Sequence, residues 1–133
     1  MENLGYYNGK FGPLNEMSIP MNDRVHWFGD GVYDAGPARN YKIFAIDEHI
    51  DRFFNSAELL EIEMPCTKQE LKDLLNKLVK KVDTGSQFVY YQVTRGTGIR
   101  DHAFTEGPGN LWVMLKPATI SDGIEPIKLI TEP

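Results

Sequence analysis

The chain has 133 residues, 41% hydrophobic and 25% charged, the composition of a folded globular domain; it excludes a collagen-like or low-complexity chain. Fourteen Lys and Arg against 19 Asp and Glu leave a net charge of -5, the wrong sign for a protein that holds nucleic acid through clustered cations, so none is expected as a partner. The single cysteine, Cys66, excludes an internal disulfide and a Cys-based zinc site and makes a reducing, cytoplasmic compartment the expected one.

In chain order, Gly5-Tyr6-Tyr7 and Lys10-Phe11 flank Asn8-Gly9, a type I′ hairpin signal because both central positions need positive φ. Pro13 to Trp27 carries scattered prolines and no period, and reads as a surface connection into Phe28-Gly29-Asp30-Gly31-Val32-Tyr33. A second strand pair is predicted around an Arg39-Asn40 turn, continuing through Tyr41-Lys42-Ile43-Phe44-Ala45. Asp47 is placed to cap a first helix, whose Ile50, Phe53, Phe54, Ala57 and Leu60 make one apolar stripe and which Pro65 should stop. Thr67 with Glu70 forms a capping box ahead of Leu71, Leu74, Leu75, Leu78, Val79 and Val82, a second helix. Lys77, Lys80 and Lys81 crowd its last turns, where they offset the negative end of the helix dipole. Gln87 to Thr94, Leu111 to Leu115 and Ile127 to Thr131 are β-branched and aromatic, and read as strands. Strands grouped on either side of a helix pair predict a single α+β domain with a mostly antiparallel β-sheet flanked by two α-helices. No apolar run approaches the ~20 residues that cross a bilayer, and the residues from Met1 to Gly5 do not open a targeting segment; no membrane partner is expected.

Most familiar catalytic arrangements are missing. Gly29-Asp30-Gly31 lacks the third glycine of a dinucleotide loop, and Arg95-Gly96-Thr97-Gly98 has no P-loop lysine. His26, His49 and His102 lie on separate elements without metal-ligand spacing, no Gly-x-Ser-x-Gly elbow occurs, and Cys66 reads as a structural residue. The loop from Arg95 to Phe104 is different, because Arg100 and His102 stand two residues apart on a glycine-loosened segment. An arginine fork takes a carboxylate through two parallel hydrogen bonds, and an imidazole beside it adds a third donor; the plainer alternative is a solvated Arg100 paired with Asp101 or Glu106. Arg52, just off the apolar stripe of the first helix, is placed to reach an anion, or else to pair with Asp51 or Glu48. Tyr33 and Tyr90 fall in strands, where core packing is the default.

Phe28-Gly29-Asp30-Gly31-Val32-Tyr33, Glu48-His49-Ile50-Asp51-Arg52, and Gln92-Val93-Thr94-Arg95-Gly96 through Arg100-Asp101-His102-Ala103-Phe104 occur in that order. Together they resemble the small N-terminal domain of fold-type IV pyridoxal-phosphate-dependent aminotransferases, most closely the D-amino acid enzymes of that family, over nearly the whole chain. The resemblance implies a homodimer of two-domain subunits, with pyridoxal 5′-phosphate in the cleft between the domains and an amino group passed between a D-amino acid and a 2-oxo acid. It matches Arg52 to the cofactor phosphate and Tyr33 to the substrate-carboxylate site. Arg100 and His102 match a clamp on the substrate α-carboxylate reaching from the neighbouring subunit, and Tyr90 a pocket residue also supplied across the dimer. The Arg-x-His pair favours D-amino acid enzymes over branched-chain aminotransferase and aminodeoxychorismate lyase relatives; (R)-amine transaminases remain a further alternative.

Two departures accompany the likeness. Asp34-Ala35-Gly36-Pro37-Ala38 stands where the D-amino acid enzymes carry larger apolar and basic residues, which alters the side-chain pocket. The family's Schiff-base lysine lies in a larger C-terminal domain, and none of the lysines here falls at a matching motif. No catalytic residue is therefore assigned in 1–133: the lysine is expected beyond Pro133, the last ~15 residues are expected to lead into that domain, and the chain alone is expected to be inactive. A non-catalytic α+β binding or dimerisation module is the reading from a different class.

Overall fold

The computed structural model describes residues 1–132. Strands β1 (Leu4–Tyr7) and β2 (Lys10–Gly12) form the opening hairpin, turning at Asn8 and Gly9 with φ of 42° and 92°, as the Asn-Gly pair requires. The stretch after it is not the plain connection the sequence implies. It contains one 3-10 turn, Leu14–Glu16, and helix α1 (Arg24–Phe28). The Asp23 carboxylate accepts the Val25 N–H at 3.0 Å as the N-cap, and Gly29 closes the helix in the left-handed region. Five residues are too few to display a helical period, so the pattern alone cannot reveal it.

Strand β3 (Gly31–Arg39) turns at Asn40 and Tyr41, both at positive φ, into the two-residue β4 (Lys42–Ile43); the turn sits one residue later than expected. Helix α2 (Ile46–Leu59) starts one residue before Asp47, which does not cap it: Ala45 at φ 45° precedes the helix, and no side chain bonds its first turn. Asp47 lies inside that turn, where its charge still complements the dipole, and it pairs with Lys72 at 2.6 Å. Nor does Pro65 end α2. The Glu61 N–H bonds the Glu58 carbonyl and the Ile62 N–H bonds the Ala57 carbonyl, both at 2.9 Å, a paired closure with Glu61 in the left-handed slot usually given to glycine. The helix thus stops by its own end geometry, and Leu60, counted in the stripe, is left half exposed.

Helix α3 (Lys68–Leu78) carries the expected capping box. Thr67 Oγ1 accepts the Glu70 N–H at 3.2 Å, and the Glu70 carboxylate accepts the Thr67 N–H at 2.8 Å. Thr67→Ala should lower the unfolding free energy by about 1 kcal/mol in urea melts; unchanged stability would mean that packing alone holds this helix end.

Strands β5 (Gln87–Thr94) and β6 (Asn110–Pro117) complete one antiparallel sheet in the order β2-β1-β6-β5-β3-β4. Alternate residues Val89, Tyr91, Val93, Leu111, Val113 and Leu115 join Phe53, Ala57, Leu71 and Leu75 in a single buried core, so α2 and α3 cover one face of the sheet. The other face shows Tyr33, Tyr90 and Trp112. The strand expected at Ile127 to Thr131 does not form: residues 118–132 pair with no strand, and Ile124, Ile127, Leu129 and Ile130 are all at least 78% exposed. A strand needs a neighbour to take its N–H and C=O groups, and this segment lies apart from both free edges of the sheet, β2 and β4. Pro133 lies outside the described residues. Among the described residues no helix is long and apolar enough to cross a membrane.

Candidate functional site

The loop from Arg95 to Gly109, between β5 and β6, is built on the segment around α1. The Arg24 N–H bonds the Gly96 carbonyl at 3.0 Å, and the Gly98 N–H bonds the Asn22 carbonyl at 3.1 Å. Beneath it lies a buried charge cluster. Asp30 accepts Arg24 Nε at 2.8 Å and Arg95 Nε at 2.9 Å, all three side chains being no more than 10% exposed. Arg95 also donates to the carbonyls of Leu60 and Glu61, capping the end of α2, and stacks 3.7 Å over the Phe104 ring. Burial pushes the Asp30 carboxyl up, but the hydrogen bonds and charges of Arg95 and Arg24 outweigh it and hold it below the ordinary carboxylate range.

Arg100 and His102 ride on this platform, both exposed. The Arg100 guanidinium carbon lies 5.1 Å from the centre of the Phe28 ring and the His102 ring 5.7 Å from it. Arg100 pairs with neither Asp101 nor Glu106, and among the described residues it makes no ion pair or side-chain hydrogen bond. The two groups therefore converge on one aromatic surface, with the arginine fork open to an external anion.

On the open face of the sheet Tyr33 stacks on Tyr90, ring centres 5.2 Å apart and 21° between planes. They are diagonal neighbours across β3 and β5, since Tyr33 stands opposite Gln92 and Ala35 opposite Tyr90. Tyr33 is 64% exposed, not a core residue. The Tyr90 hydroxyl donates to Gln92 Oε1 at 2.7 Å, and desolvation, helped by Tyr33, raises its pKa. Trp112 leans on Tyr90 at 5.3 Å, and its buried indole N–H has no hydrogen-bond partner among the described residues.

Arg52 lies on the helix-covered side. It pairs with neither Asp51 nor Glu48; its Nε and Nη2 bond both oxygens of Asp34, at 2.6 and 2.8 Å. Asp34 points inward from β3, is 3% exposed, and also meets His49 Nδ1 at 2.8 Å. Burial raises its pKa, but the Arg52 and His49 bonds prevail and lower it overall. The other nitrogen, His49 Nε2, packs against Gly36 so closely that a Cβ there would lie 2.7 Å from it, which accounts for a glycine in mid-strand.

The structure thus joins Arg100 with His102 and Tyr33 with Tyr90, and it leaves Arg52 on the opposite side of the sheet from the tyrosines. No hydrogen bond or ion pair links the three groups among the described residues. Clefts of about 650 Å³ beside Arg39 and Phe44, and of about 570 Å³ beside Tyr6 and Cys66, contain none of the five; the candidate site is an open surface. Sequence reasoning missed Arg24 as an anchor, and Asp34 and His49 as the partners of Arg52. One signal was available for Asp34: strand alternation puts it on the same face as Val32, Gly36 and Ala38, and a lone acid at an inward position demands a cationic partner. Among the described residues no cluster of His, Cys, Asp or Glu is arranged to hold a metal ion.

Residues 31–132 match the family model of amino-transferase class IV. The D-alanine aminotransferase of Staphylococcus haemolyticus is 35% identical over 99 residues, 74% of this chain and 35% of that protein. The one from Listeria monocytogenes is 42% identical over 81 residues, 61% of this chain and 28% of that protein. The chain spans about a third of the length of the curated relatives it matches. Among solved structures, the branched-chain amino acid aminotransferase from Escherichia coli superposes with a TM-score of 0.80 at 15% identity, over 89% of this chain and 42% of that one. A second branched-chain amino acid aminotransferase, from T.th. and solved with pyridoxamine 5′-phosphate, gives 0.75 at 23%, over 91% and 41%; at these identities the likeness is one of fold. Because the family match takes in β3, both long helices, the Arg95 loop and β6, the chain belongs to the class IV aminotransferases.

Proposed function

We propose that the chain supplies the substrate-carboxylate and cofactor-phosphate contacts of a pyridoxal 5′-phosphate-dependent aminotransferase that moves an amino group between a D-amino acid and a 2-oxo acid. The observation that carries this reading is the convergence of Arg100 and His102 on Phe28 with no internal acid to neutralise the fork, in a chain whose similar curated relatives are D-alanine aminotransferases. The branched-chain enzymes resemble it in fold alone.

Arg52 suits the cofactor phosphate. Asp34 engages Nε and Nη2 and sets the plane of the guanidinium, while Nη1, bonded to nothing among the described residues, remains for phosphate oxygens. When bound, pyridoxal phosphate supplies the electron sink for charge developing at the α-carbon. The chain's own residues act on the rest of the substrate. Arg100 takes the α-carboxylate through parallel hydrogen bonds, His102 adds a donor, and anchoring that substituent restricts the orientation of the α-carbon, an entropic contribution to catalysis. The stack of Tyr33 on Tyr90 holds both rings in place, Tyr33 for this subunit's site and Tyr90 for the neighbour's.

In this reading the enzyme is a cytoplasmic homodimer, Arg100, His102 and Tyr90 serving the neighbouring subunit's site. The free Cys66 accords with that compartment. The lysine that attaches the cofactor and moves the α-proton is assigned to residues outside this chain, so the chain alone is inactive. The test is to assay the complete enzyme with pyridoxal phosphate, D-alanine and 2-oxoglutarate beside L-leucine and a simple (R)-amine. D-alanine should be the preferred donor, and residues 1–133 alone should show no turnover. A preference for L-leucine or the amine, or turnover by the isolated chain, would overturn the assignment.

A further inference from the structure

We infer that Arg24 is the positioning residue of the substrate-carboxylate clamp, setting His102 and Arg100 in place from beneath; this deepens, and rests on, the clamp reading above. Arg24 Nη1 donates to the carbonyls of Asp101 at 2.7 Å and Ala103 at 2.9 Å, the two that straddle His102. Holding alternate carbonyls on one buried nitrogen fixes the backbone on both sides of His102, in a loop that otherwise has the freedom of its glycines. The same guanidinium lies 4.8 Å from the centre of the Phe28 ring, the ring that Arg100 and His102 also approach. Phe28 is thus a shared surface that relates the buried arginine to both exposed donors.

Charge adds no second contribution. Arg24 and Arg95 share the carboxylate of Asp30, and Asp23, fully buried, bridges to Thr97 of the same loop, so two buried acids balance the two buried arginines. Asp101, the acid nearest in sequence to the clamp, turns its carboxylate back toward the Ala103 N–H at 3.3 Å. Arg24 therefore serves the clamp through backbone geometry, without touching the substrate.

The experiment uses the complete enzyme and the variants Arg24→Lys, Arg24→Gln and Arg100→Ala. Each is read for the KM and kcat of D-alanine, for inhibition by acetate as a carboxylate without an amino group, and for cofactor affinity by fluorescence. Arg24→Lys keeps the charge but has a single nitrogen, which cannot bond Asp30 as Nε does while also holding both carbonyls as Nη1 does. It should raise KM and the acetate inhibition constant together by roughly ten-fold or more, leaving kcat within about three-fold and cofactor affinity unchanged. A purely structural role would lower kcat and cofactor affinity together, without that split, and would overturn the inference. Unchanged KM and acetate inhibition in Arg24→Lys, with both raised in Arg100→Ala, would also overturn it while sparing the clamp. If Arg100→Ala changes neither, the clamp reading fails and the positioning role falls with it. Should Arg24→Lys not fold, Arg24→Gln decides, because its shorter neutral amide cannot hold Asp30 and both carbonyls together: the same split supports the inference and its absence overturns it.

Discussion

Asp30→Asn should lower the unfolding free energy by about 3 to 5 kcal/mol, the cost typical of removing one partner from a buried ion pair, which is a large share of the ~5 to 15 kcal/mol that holds a domain folded. The reason is the arithmetic of the cluster. Two buried guanidinium groups lean on one carboxylate, and a neutral amide leaves both uncompensated. The acid limb follows from the same group. Its folded pKa lies below the ordinary value of 3.8, so the unfolded state binds the proton first as pH falls. Its contribution is therefore complete above that ordinary value and is lost as pH drops through the lower folded one. Asp34 acts in the same direction. Urea titrations at neutral pH and thermal melts at successively lower pH check both parts: Asp30→Asn should melt lower at neutrality and fall less steeply in acid. A loss under about 1 kcal/mol with an unchanged acid limb would mean that Arg24 and Arg95 are held well enough by the carbonyls of Asp101, Ala103, Leu60 and Glu61.

In the complete enzyme Arg100→Ala should cost about ten- to 150-fold in kcat/KM for the amino acid, corresponding to the roughly 1.5 to 3 kcal/mol of a hydrogen bond to a charged group. Arg100→Lys should lose much of the same, because an ammonium keeps the charge but not the planar two-bond fork. His102→Ala should cost less, its imidazole being a secondary donor. Arg52→Ala should leave the amino-acid KM nearly alone and weaken cofactor retention instead. The geometry explains why the two effects separate: Arg100 stands on the Phe28 platform, whereas Arg52 is tied to Asp34 on the other side of the sheet. Steady-state kinetics with D-alanine, alongside cofactor dissociation followed by fluorescence, read the crossover. Equal loss of cofactor affinity in both variants, with KM unchanged in Arg100→Ala, would show the residue assignments to be wrong.

The elements that could be read from the sequence are those whose cause is local. Asn8-Gly9 dictates its hairpin through positive φ, Thr67 and Glu70 dictate the start of α3 by bonding each other's backbone, and the period from Leu71 to Leu78 dictates its buried face. The α+β class follows from the order of such elements, and the three motifs that carry the family likeness are likewise contiguous in sequence.

Wherever the cause is a partner distant along the chain, only the tertiary structure decided. Arg24 is buried because the carbonyls of Asp101 and Ala103, 77 and 79 residues further along, fold back onto it. Arg52 binds Asp34 rather than its helical neighbours because α2 lies over β3. Tyr33 is exposed because none of the described elements covers that face of the sheet, and Ile127 to Thr131 stays unpaired because it does not reach either free edge, β2 or β4. Hydrogen bonds within a turn or a cap are specified by adjacent residues, so sequence alone determines them. Burial, ion pairing and strand partnership depend on which surfaces meet, and that depends on the whole fold.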